Sequence, residues 1–191
     1  KGIITAIVVV VLGIIALNTY VIKPKATEAS NENAKAVAYF AQGNYELALN
    51  GDDAECIGFE QIANDNKCLQ QGRLAALYAG VCYYKLGDFA AAAEYLDRFC
   101  AKDLNIEPAS IQLLGDAYVQ LEDYAKAAKA FEKAAASENE IIAPMSLKKL
   151  GFVQMELGNN KAALAAFETI KNDYPASAEA QDIDKYIAIV K

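Results

Sequence analysis

Ile111 to Ala134 reads IQLLGDAYVQLEDYAKAAKAFEKA, and the same order of small, large and polar residues occurs on both sides of it. Leu77 to Phe99 reads LYAGVCYYKLGDFAAAAEYLDRF, and Leu147 to Ile170 reads LKKLGFVQMELGNNKAALAAFETI. Gly80, Gly115 and Gly151 fall in register, 35 and 36 residues apart, so the chain repeats one supersecondary unit rather than building one irregular core. A weaker copy, YFAQGNYELAL (Tyr39 to Leu49), comes first, with Gly43 and Tyr45 at the places of Gly87 and Phe89.

Within each block a glycine sits in a first helical pattern and an alanine (Ala92, Ala127, Ala163) in a second, with a large residue (Leu96, Phe131, Phe167) one turn later. A missing side chain where two helices cross lets them approach closely, and a large neighbour fills the space beside it. Pro108 and Pro144 stand near the starts of first helices, where a missing N–H costs little. On these residues the chain resembles the tetratricopeptide repeat family, whose unit is a helix-turn-helix of about 34 residues. The implied fold is all-α: one N-terminal transmembrane helix, then an α-solenoid of helix pairs. Gln154, in place of Tyr83 and Tyr118, and Asn160, in place of Phe89 and Tyr124, depart from the pattern. An insertion at Asn50-Gly51-Asp52-Asp53 departs further, and the second helix of the weak copy is expected to restart near Asp53.

Gly2 to Ile22 is 21 residues without a charge, enough to cross roughly 30 Å of hydrocarbon at about 1.5 Å per residue. Tyr20, Lys23 and Lys25 suit an interfacial end, and Pro24 is expected to end the helix. The organisation predicted is an anchor and exit (1–25), a degenerate first repeat with insertion (26–66), three repeats (67–175) and a capping helix (176–191). The cap is amphipathic, with Ala180, Ile183, Ile187 and Val190 on one face.

Three of the 18 basic residues and none of the 25 acidic ones lie in 1–25, leaving residues 26–191 with a formal charge of −10. That balance disfavours nucleic acid. With no His and no Trp, His-based acid/base relays, triads and His-ligated metal sites are excluded, and no phosphate-cradling motif is present. No enzyme activity, cofactor or metal is expected, and Glu138-Asn139-Glu140 and Gly51-Asp52-Asp53 read as solvated turns. Cys56, Cys68, Cys82 and Cys100 have no CxxC spacing. An oxidising compartment would allow a Cys68–Cys100 bridge and, less readily, Cys56–Cys82.

The resemblance implies a concave wall built mostly from first helices that holds other proteins or peptides. Its candidates are Leu74, Leu77, Val81 and Tyr84 in the first full repeat, Gln112, Asp116, Val119 and Gln120 in the second, and Lys148, Phe152, Met155 and Glu156 in the third. Some members of the family clamp a partner's C-terminal carboxylate there with Lys, Asn and Arg; Leu77, Val81 and Asp116 at those places cannot donate to one. The architecture is also similar to the anchored ancillary subunit of the bacterial Sec translocon. That likeness implies a bacterial inner-membrane protein with periplasmic repeats, partnered by a translocon or an envelope chaperone and by the bilayer through residues 2–22. The alternative is a cytosol-facing anchored receptor or assembly factor, which the visible lysines favour.

Overall fold

A computed structural model describes the backbone of residues 2–52, 55–101 and 103–191, and within them every side chain except those of residues 2–6 and 8. Every element among the described residues is a helix or helical turn: α1 (Gly2–Leu17), a π-helical turn (Asn18–Ile22), α2 (Lys23–Ala41), α3 (Tyr45–Asn50) and α4 (Gly58–Asp65) come first. Then follow α5 (Gln70–Leu86), α6 (Phe89–Asp97), α7 (Ile106–Gln120), α8 (Tyr124–Ala135), α9 (Ile142–Glu156), α10 (Asn160–Asp173), a 3-10 turn (Ala178–Asp182) and α11 (Ile183–Val190). Two compact units divide the chain, residues 1–79 and 80–191, with the division inside α5.

In the second unit successive helices pack in order, α6 on α7, α7 on α8, α8 on α9, α9 on α10 and α10 on α11, while α7 also meets α9. The glycines explain the closeness of each pair. A Cβ on Gly80 would lie 2.7 Å from Leu96 Cγ, and one on Gly115 would lie 2.5 Å from Phe131 Cε1; on Gly151 it would press into the Phe167 ring. Ala92, Ala127 and Ala163 are fully buried beside them, as are Phe131 and Phe167. The turn between paired helices is also shared. Gly87 and Gly158 adopt φ of 87° and 73°, and Glu122, at the same place in the middle repeat, is forced to φ 58°. Asp88 and Asp123 then cap the second helices by accepting the N–H of Ala91 and Lys126. In the third repeat Asn159 caps nothing and instead donates to Gln154 Oε1 at 3.0 Å. The departure at Gln154 thus sits in a local pair of amides where the other repeats have a tyrosine and an aspartate.

In the first unit α2 packs on α3 and α4, and α3 on α4, around Phe59 and Ile62. Phe59 stacks on Tyr78 at 4.8 Å, and Phe40 meets the edges of Tyr45 and Tyr78 at 5.6 and 5.1 Å. The insertion opens at Gly51, whose φ of 87° breaks the helix, and α4 begins at Gly58. Asp53, the expected restart, lies outside the described residues. Asp52 is more than a solvated turn: its carboxylate accepts the N–H groups of Glu55 and Cys56 and the Tyr39 hydroxyl, the last at 2.6 Å.

Two expectations need correction. Pro24 does not end the first helix, because helical backbone runs continuously from Val9 to Ala41. The π turn just before it widens the backbone, with Lys23 N–H donating to Asn18 O, and so accommodates a ring that would otherwise press on the carbonyl four residues back. The C-terminal segment is also not one helix: Ser177 caps a 3-10 turn, and α11 begins only at Ile183. Its buried face, Ile183, Ile187 and Val190, nevertheless closes over Phe167 and Ile170.

Gly151→Ala gains about 1 kcal/mol of helix propensity but forces the Phe167 ring aside, an overpacking cost of about 1–3 kcal/mol. The net change expected in thermal or urea unfolding is a loss of up to about 2 kcal/mol. Combined with Phe167→Leu, the two losses should sum to more than the double variant shows, because the smaller side chain yields.

Candidate functional site

Gly115 and Ala127 commit one side of α7 to its partner α8, so the rest of the helix meets the neighbouring repeats or solvent. The first-helix residues proposed from sequence therefore divide by neighbour. Leu74 and Leu77 belong to the part of α5 in the first unit, Leu74 exposed and Leu77 half-buried. In the second unit Val81 and Tyr84 are half-buried on the end of α5, and Tyr84 meets Phe89 edge-on at 5.3 Å. Burial, followed by the nearby Asp116 charge, pushes the Tyr84 hydroxyl above the usual tyrosine range.

Between α7 and α9 the seam is polar. Gln112 is buried and donates through Nε2 to the buried Ser146 hydroxyl at 3.0 Å, which satisfies two groups that would otherwise be costly. One turn later the Lys149 ammonium spans both oxygens of Asp116 at 2.7 and 2.6 Å, and it lies 5.7 Å above the Phe131 ring. Asn139 repeats the theme at the helix starts, donating to Asn105 Oδ1 and Leu104 O while accepting from Ile141 and Ile142. Gln112 and Asp116 thus have partners within the chain. Val119 packs against the cluster of Ala127, Phe131 and Val153, and Gln120 is exposed.

In the third repeat the same face is covered by the chain's own C-terminus. Lys148 donates to Asp182 at 2.6 Å and lies 5.3 Å above Tyr186, and Phe152 meets Tyr186 edge-on at 4.8 Å. Met155 packs against the C-terminal core and Glu156 is exposed. Asp182 also receives Lys185 at 2.7 Å. The hydrogen bond from Lys148, then that from Lys185, holds its carboxyl down at about 2. The C-terminal segment thus occupies Lys148 and Phe152, which sequence periodicity alone cannot show because the turn of chain at Pro175 decides where that segment returns.

All four cysteines are free, Cys56 and Cys82 buried, Cys68 and Cys100 exposed, so neither the Cys68–Cys100 nor the Cys56–Cys82 bridge is formed in this structure. Burial pushes the Cys82 thiol up to about 12, which keeps it protonated and unreactive. Among the described residues no group of three His, Cys, Asp or Glu is placed to hold a metal ion.

Because the folded pKa of Asp182 lies below its ordinary value of 3.8, its pairing stabilises the fold fully above about pH 4 and is lost as pH falls towards 2. Asp182→Asn should therefore lower Tm at pH 5–8, with the deficit closing between about pH 4 and 2 in circular-dichroism melts. A thiol titration of unreduced native protein should read two reactive thiols, Cys68 and Cys100, and four after unfolding.

Comparison with known proteins places this geometry. Residues 108–140 match one tetratricopeptide repeat description, and residues 74–103 and 147–177 match another. No curated protein matches the chain. Among solved structures, MamA of AMB-1 in its P212121 form is 20% identical over 86% of this chain and 81% of that one, with a TM-score of 0.62. MamA of MSR-1 is 21% identical over 85% and 84%, at 0.59. A putative kinesin light chain of Podosopora anserina with nearly identical TPR-like repeats is 14% identical over 86% of each chain, at 0.61. At such identities the likeness is one of fold, and it agrees with the packing described above: the chain carries tetratricopeptide repeats at 74–103, 108–140 and 147–177.

Proposed function

We propose that the chain is a membrane-anchored, non-enzymatic scaffold whose repeats hold other proteins. Tetratricopeptide repeats imply protein partners, and the observation that carries the reading is the unequal use of the first helices. Their glycine side is buried against the second helices, while Val81, Tyr84, Gln120 and Glu156 keep exposed or half-exposed surface. Val81 and Tyr84 among them offer apolar and aromatic contact area to an extended or helical segment. Leu74 and Leu77 carry the same character in the first unit.

The anchor would be residues 2–22. The helix from Val9 to Ala41 is long and apolar enough to cross a membrane, and every described side chain from Ile7 to Ile22 is exposed. Exposed Val, Ile and Leu in such number suit lipid rather than water. The anchor and acidic repeats together support a place in a bacterial inner membrane with the repeats in the periplasm, beside a translocation channel or an envelope chaperone. Lys23 and Lys25 favour the second reading, a cytosol-facing receptor or assembly factor.

Two measurements separate these readings. Sealed vesicles of known orientation treated with protease should protect the repeats if they face the lumen corresponding to the periplasm, and digestion from the cytoplasmic side supports the second reading. Crosslinked co-purification in mild detergent should recover a defined set of proteins, reduced at least several-fold by Val81→Glu with Tyr84→Ala at unchanged helicity. Recovery of the same set by the variant would overturn the first-helix site.

A further inference from the structure

Ile111, Leu114 and Tyr118 recur at spacings of three and four on α7, on a side distinct from the one that carries Gln112 and Asp116 towards α9. With Leu96 of α6 they floor a groove of about 260 Å³ that opens beside α8. That volume is below the roughly 300–1,000 Å³ of a drug-sized ligand site and suits one apolar side chain with its neighbours.

The rim of this groove is basic. Lys126, Lys129 and Lys133 line it from α8, spaced three and four residues apart, so that they share one helix face. Asp97 is the single acid among the lining residues. Lys126 is tied to Asp123 at 2.8 Å and lies 5.3 Å from the Tyr118 ring. Lys129 and Lys133 are exposed and make no ion pair among the described residues. The three ammonium groups outnumber the nearby carboxylates of Asp97 and Asp123, the latter beside Lys126 and Lys129, and the surplus attracts anions to an apolar floor.

We propose that the groove of α6, α7 and α8 docks an acidic peptide segment, one apolar side chain entering the floor while flanking carboxylates meet Lys129 and Lys133. This surface is separate from the first-helix face on which the proposed function rests. Carboxylates beside these exposed lysines gain from both charge and hydrogen bonding, and the apolar anchor sets the register.

The full chain in zwitterionic nanodiscs, titrated against a fluorescein-labelled glutamate peptide with one central leucine, tests this by anisotropy. Binding is expected to weaken roughly tenfold or more in Lys129→Glu/Lys133→Glu and several-fold in Lys129→Gln/Lys133→Gln, and to fall with salt. Tyr84→Ala, on the first-helix face, should leave it unchanged, so failure here and failure of the proposed function read differently. Equal binding by the charge-reversed variant, or by a peptide with lysines for glutamates, would overturn the proposal. So would equal binding by a glutamate peptide lacking leucine. Capture of anionic vesicles in place of the peptide, or self-association through these lysines, would overturn it as well.

Discussion

The contact between a first-helix glycine and the large residue sixteen positions later sets the rest of the structure. It occurs at Gly80 with Leu96, Gly115 with Phe131 and Gly151 with Phe167, and at each place an added Cβ would collide with that side chain. Backbone is thereby brought against a side chain that buries most of its surface, which sets how closely the paired helices approach within each block. Three such blocks give the second unit its order of packing. The seams between blocks are finished by polar pairs, Gln112 to Ser146, Asp116 to Lys149 and Lys148 to Asp182, each about one repeat apart in sequence.

That division of labour decides what the molecule can offer. Because the glycine side is consumed within pairs and the polar seam between them, the surfaces left include the free part of the first helices and the lysine-rimmed groove beside α8. Neither arrangement assembles a nucleophile with a base, and the acidic and basic side chains that meet do so as structural pairs. The last block differs from the others because the C-terminal segment lies against it, Phe152 meeting Tyr186 edge-on while it keeps part of its surface exposed, and Lys148 pairing with Asp182.

Much of this was legible in the residues. The glycine spacing gave the helix pairs, and Ala92, Ala127 and Ala163 marked the crossing points that are buried in the structure. The unread parts depend on contacts distant in sequence or on compensation nearby. Pro24 reads as a break, yet a π turn before it makes room for the ring and the helix continues to Ala41. Gln112 and Asp116 read as wall residues, but their partners stand 34 and 33 positions away, where periodicity carries no label for what faces them. The lysine-rimmed groove has no signal in the sequence of α8, since the apolar floor that its lysines border comes from two other helices. Asp52 looked like a loop charge, and its role depends on Tyr39 reaching it across the insertion.

The nesting of glycine against a large side chain is observed most directly by nuclear magnetic resonance of the full chain in detergent. The Hα protons of Gly115 and Gly151 should show cross-relaxation to the ring protons of Phe131 and Phe167 and ring-current displaced shifts, and those of Gly80 should meet the Leu96 methyls. Glycine Hα signals at ordinary helical positions without these cross-peaks would contradict the account, because the helix pairs would then be held apart by some other packing.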